Sequence, residues 1–99
     1  MWQNVIDSIF NDIQYFTSMY PGSVAGTYRY VVDYCDKLEV NSSIMYDEYP
    51  DRESIRAAAE KIKEESGEKK EGLVEVLLIN EIMHRRIRRD YYALDTFGK

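Results

Sequence analysis

The chain has one cysteine, one histidine and two prolines in 99 residues. Cys35 alone can form neither an intramolecular disulfide nor a Cys-x-x-Cys redox pair, which suits a reducing compartment. His84 is the only imidazole, and no spacing supports a serine, histidine and acid triad. The five glycines form no phosphate-cradling loop. Long apolar runs are missing as well. The strongest stretch, LVEVLLINEIM at 73–83, is broken by Glu75, Asn80 and Glu81, well short of the roughly 18 residues that cross a bilayer. Residues 1–20 lack a basic start followed by an apolar run, so no export signal is expected. Nothing alternates at period two over a useful length, which argues against a sheet. Positive charge is in deficit, 13 Lys and Arg against 18 Asp and Glu for a net charge of −5, so no global attraction to nucleic acid or an anionic membrane is expected. Together these absences predict a cytoplasmic, membrane-free protein that is not an enzyme and needs no cofactor.

Apolar residues make up 44% and aromatics 13% of the chain, too rich for disorder. A chain this short supports one core, burying about 60 to 65% of the surface its unfolded form exposes. We therefore expect a single domain over 1–99, with 94–99 frayed at the end.

The core is expected to form around the stretch at 72–92. Winding it at about 100° per residue puts Leu73, Val76, Leu77, Met83, Ile87 and Tyr91 on one face, while Val74, Leu78, Ile79 and Ile82 cover much of the opposite side. A helix that is apolar nearly all round must be covered on more than one side. Three further helices precede it. Residues 2–19 repeat apolar side chains at Trp2, Ile6, Ile9, Ile13, Phe16 and Tyr20, and Tyr20-Pro21-Gly22 then breaks the period. Ser23 can cap a second helix with Val24, Tyr28, Val31, Cys35 and Leu38 inward. A third starts near Pro50 or Asp51, carries a narrow stripe of Ile55, Ala58, Ala59 and Ile62, and stops at Ser66-Gly67. Four helices with short connections predict an all-α fold, a four-helix bundle or closely related helical array around the C-terminal helix.

Candidate sites are few. Glu81 and His84 have the Glu-x-x-His spacing of helical metal sites. A complete centre needs more ligands than one such motif offers, and a Glu81 to Arg85 ion pair beside a boundary histidine explains the same residues. Asn80 falls near the middle of the assigned inner stripe, where a buried amide can fix helix register. Arg85, Arg86, Arg88 and Arg89 form a basic cluster. No aromatics interleave them and no groove-reading motif is present, so they are expected to pair with the chain's own acids, with Asp47, Glu48, Asp51 or the acids of the third helix as candidates. Tyr46, Asp47, Glu48 and Tyr49 lie in an apolar, acidic loop that either covers the bundle end or serves as a recognition surface.

At WQNVIDSIFNDIQYF, MYDEYPD and VEVLLINEIMHRR the chain resembles short proteins of unknown function from clostridial-type Gram-positive anaerobes. Members of that group often end in a longer arginine-rich and cysteine-rich tail, and this chain departs from them by ending in LDTFGK. The resemblance implies a bacterial cytoplasmic protein and carries over no catalytic residue.

The functional expectation is a small non-catalytic protein-protein interaction module that self-associates. The predicted homodimer interface includes Leu78 and Ile82, which the weakly apolar third helix is too small to cover, and a further unidentified protein partner is allowed for. The alternatives are a nucleic-acid-associated protein using the arginine face and a metal-binding bundle using Glu81 and His84.

Overall fold

Four helices form where the apolar periodicity and the chain breakers place them: α1 (Trp2–Thr17), α2 (Gly22–Asn41), α3 (Arg52–Ser66) and α4 (Leu73–Phe97). The structure is a computed structural model that describes residues 2–41 and 50–97, with side chains apart from 2–4, 6, 40–41 and 91–97. Among the described residues there is no strand, as the lack of period-two patterning predicts. Tyr46, Asp47, Glu48 and Tyr49 lie outside the described residues.

Local chemistry sets each boundary. α1 stops at Thr17, two residues before the expected Met19, where the amides of Met19 and Tyr20 tighten onto the Phe16 and Thr17 carbonyls three residues back at 3.2 Å and the hydroxyls of Thr17 and Ser18 bond back to the last turn. Thr17 Oγ1 donates to the Ile13 carbonyl at 2.8 Å and Ser18 Oγ to the Tyr15 carbonyl at 2.6 Å. α2 begins two residues earlier than a Ser23 cap implies. The Pro21 carbonyl accepts from the amides of both Val24 and Ala25 at 2.8 Å, so proline's own carbonyl starts the helix. At its far end α2 runs through Val40 to Asn41. α3 ends as the Ser66-Gly67 signal predicts: Gly67 adopts φ 72° and its amide donates to the Lys63 carbonyl at 2.9 Å, a left-handed stop that suits glycine. Gly72, at φ 77°, accepts the first α4 bond from Val76 N–H at 3.1 Å. α4 then continues past Tyr92 to Phe97, since no breaker occurs before Gly98.

α4 packs against each of the other three helices, which bears out its central place. The core gathers Val31 and Cys35 of α2, Ala58, Ala59 and Ile62 of α3, and Val74, Leu77, Leu78 and Ile82 of α4. Val31, Ile62 and Leu78 are fully enclosed, each stabilising the fold by about 1.5 to 3 kcal/mol through removal of apolar surface from water. The alanines let α3 come close enough for Ile62 to reach this centre. Tyr20 and Tyr28 meet edge to face at 5.2 Å between ring centres, closing the corner between α1 and α2.

The shortest dimension of the molecule is 18 Å, room for about two layers of helices roughly 10 Å across. This flattened bundle covers α4 along one side only. The expected inner face of α4 is thereby corrected: Val76, Met83 and Ile87 are exposed, while Val74, Leu77, Leu78 and Ile82 are buried. An all-round apolar helix gives two nearly equivalent solutions, and the choice between them is made by charged groups.

Candidate interaction site

Following the buried stripe of α4 toward its C-terminus, Leu78 and Ile82 give way to Glu81 and Arg85, both buried. Arg85 Nε donates to Glu81 Oε2 at 2.8 Å across one helical turn. Its Nη2 lies 2.9 Å from Asp36 Oδ1 and donates to the Val32 carbonyl at 3.4 Å, and its Nη1 lies 3.3 Å from Glu39 Oε1. Tyr28 Oη donates to Glu81 Oε1. Tyr28, Val32, Asp36 and Glu39 recur at the spacing of one α2 face, so a single guanidinium ties that face to α4. A carboxylate and a guanidinium survive here because each is paired and hydrogen-bonded.

Two further side chains border the cluster. His84 Nδ1 is buried 3.8 Å from Glu81 Oε1, an ionic distance when the ring is protonated and too long for a hydrogen bond. Arg88 places Nη2 3.8 Å from Glu39 Oε1 and its guanidinium carbon 5.3 Å from the centre of the Phe10 ring, a cation over an aromatic face. A cavity of about 370 Å³ lies here between α1, α2 and α4.

Burial by itself raises the pKa of Glu81, and the contacts from His84, Tyr28 and Arg85 outweigh it, holding the carboxyl at about 2 instead of its ordinary 4.5. For Arg85 burial opposes the charge, and the bonds to Glu81 and Asp36 more than restore it, so its pKa is raised. Burial pushes the neighbouring Cys35 thiol up to about 12, which leaves it protonated and unreactive at neutral pH. A group whose pKa falls on folding contributes stability above its unfolded value and loses it as pH drops through the folded one. Glu81 therefore contributes on the order of 3 kcal/mol at neutral pH, lost between about pH 5 and pH 2. We expect urea midpoints to fall across that window in the wild type and to fall less in Glu81→Gln. Equal slopes in the two proteins would show that other carboxylates carry the acid sensitivity.

The other side of α4 is apolar and open. Val76 is 56% exposed, Ile79 44%, Met83 52% and Ile87 40%, one stripe at the spacing i, i+3, i+7, i+11. Beside it runs a groove of about 720 Å³ between α4 and the start of α3, with Ile55, Ile79, Met83 and Ile87 along its floor. Glu75 borders one end, and Arg52 and Arg86 the other, together with Asp90. Comparison with family models, curated proteins and solved structures found no match.

The expected site residues divide accordingly. Leu78 and Ile82, expected at a dimer interface, are 0% and 4% exposed and belong to the internal core. The reason is the rotation of α4: turning Glu81 and Arg85 toward α2 carries Leu78 and Ile82 inward and Met83 and Ile87 out. Of the arginines, Arg85 pairs with Glu81, as the spacing predicts, and with Asp36 and Glu39 of α2; Asp47 and Glu48, also named as candidate partners, lie outside the described residues. Arg88 reaches Glu39 and Phe10, and Arg89 Nη2 lies 2.9 Å from Asp90 Oδ1. Arg86 is half-buried at the groove. Glu81 and Arg85 form the expected ion pair, beside a half-buried His84. Among the described residues no three His, Cys, Asp or Glu side chains are grouped to hold a metal, and no helix is long and apolar enough to cross a membrane. Asn80 is half-buried at the edge of the covered side. Sequence reasoning missed Tyr28, Asp36 and Glu39 as partners of the cluster. The spacing of Glu81 and Arg85 signalled a pair, but nothing in it signalled burial.

Proposed function

We propose that the protein is a small, non-catalytic helical module of the bacterial cytoplasm that binds protein, and that it self-associates through the outer face of α4. The observation that carries this reading is the exposed stripe of Val76, Ile79, Met83 and Ile87. Scattered apolar residues are ordinary on a protein surface, but a continuous stripe beside a groove is the kind of patch that marks an interaction site. It is also the geometry by which one amphipathic helix receives another. The arginine cluster supports a nucleic-acid role less well, because all three nitrogens of Arg85 are engaged within the chain. The test is light scattering over a concentration series. The wild type is expected at twice the chain mass of 11.7 kDa, and Met83→Glu at the chain mass with its helical circular dichroism kept, since half of Met83 already meets water. A wild type that stays at the chain mass at millimolar concentration counts against self-association.

A further inference from the structure

The charges beside the exposed stripe identify what fits it. Glu75 and Arg86 both border the groove on the flank of α4 that faces the start of α3. On a helical wheel at about 100° per residue they fall within about 20° of each other, on the same side of the line through Val76, Ile79, Met83 and Ile87. They are opposite in charge and lie eleven residues apart, roughly 16 Å along the axis.

A two-fold axis perpendicular to a pair of antiparallel helices brings like flanks together, whereas an axis parallel to them brings unlike flanks together. Two residues on one flank can therefore meet across a symmetric interface only if the helices run antiparallel. The register follows from the stripe. Setting Val76 opposite Ile87 and Ile79 opposite Met83 centres the pair near position 81, and the midpoint of Glu75 and Arg86 falls within about one residue of the same place, an offset of roughly 1.5 Å or less. One centre thus satisfies both the apolar and the charged pairings.

We propose that a second copy of this chain occupies the outer face of α4, antiparallel about a two-fold axis near position 81, with Glu75 of each chain facing Arg86 of the other. Arg52 and Asp90 border the same end of the groove as Arg86; Asp90 lies 2.9 Å from Arg89 of its own chain, and Arg52 adds a second positive charge toward the incoming Glu75. The interface is isologous and closes on itself, so association stops at two. A parallel pair leaves Glu75 and Arg86 on outer, unlike flanks and gains nothing from either.

This proposal rests on the self-association proposed above, and charge reversal separates the two. Glu75→Arg alone and Arg86→Glu alone each place like charges face to face twice per dimer. Each is expected to weaken dimerisation at least tenfold, measured by analytical ultracentrifugation at low ionic strength. The double variant restores opposite pairs and should return to within about threefold of the wild type. Circular dichroism on all three checks the fold. If both single variants weaken the dimer and the double does not recover it, the antiparallel register is wrong, while self-association through the stripe stands. The register is equally wrong, and self-association equally intact, if neither single variant changes the dimer but Met83→Glu abolishes it. A monomeric wild type, or a dimer indifferent to Met83→Glu, overturns both.

Discussion

Leu78→Glu should leave the protein unfolded. Leu78 is fully buried at the centre of the core beside Ile62 and Val31, and its described core neighbours are apolar, so a carboxylate placed there finds no cation among them. Burying an unpaired charge, together with losing the leucine, costs at least about 5 kcal/mol, as much as the whole stability of many domains. Leu78→Ala, which only empties the site, should cost about 2 to 5 kcal/mol and keep the fold. Far-ultraviolet circular dichroism and urea unfolding read both. The contrast with Met83→Glu, on the opposite face of the same helix, is the useful one. A helical, cooperative Leu78→Glu protein would mean that α4 is rotated from the orientation described above.

Arg85→Met should destabilise the protein by about 3 to 5 kcal/mol, far more than an ordinary surface arginine. The loss is not the strength of one ion pair. It is the cost of leaving Glu81, itself buried, without its main compensating charge, and of releasing Asp36 and Glu39 from the cation between them. Adding Glu81→Gln removes the stranded charge and keeps an acceptor for the Tyr28 hydroxyl. The double variant should therefore recover at least half of the loss, as expected for residues that act as one network. A single variant costing less than about 1 kcal/mol would place Arg85 with solvent-exposed pairs and contradict its burial.

How much of this can be read from residues alone differs from helix to helix. α2 is legible almost throughout, because Val24, Tyr28, Val31, Cys35 and Leu38 fall on one stripe with charges opposite. α3 is legible at its glycine stop and in its small inner stripe of Ala58, Ala59 and Ile62. α4 is legible as the central helix and not in its rotation. Apolar side chains surround its first half, so the pattern favours no direction, and Met83 and Ile87 fit an inward face as well as Leu78 and Ile82 do. What breaks the tie is a tertiary event, the meeting of Arg85 with Asp36 and Glu39, and no local pattern reports an encounter between residues about fifty positions apart. The same rotation moves the candidate surface from Leu78 and Ile82 to Val76, Ile79, Met83 and Ile87. The alternation that identifies an outward face on most helices is missing along the surface proposed for self-association.

The span of the Arg85 cluster also bears on the order in which the chain assembles. Tyr28 to Glu81 and Val32 to Arg85 each join residues 53 positions apart, whereas α3 and α4 are separated only by the connection from Gly67 to Gly72. The α3 to α4 hairpin closes a short loop and can form early; bringing α2 onto α4 closes a much longer one and must await it. The cluster is then expected to lock late, after the rate-limiting step, and to act on the lifetime of the folded state more than on the speed of reaching it. In stopped-flow chevrons of Arg85→Met, most of the lost stability should appear as faster unfolding, and a folding rate slowed in proportion would place the cluster in the nucleus instead.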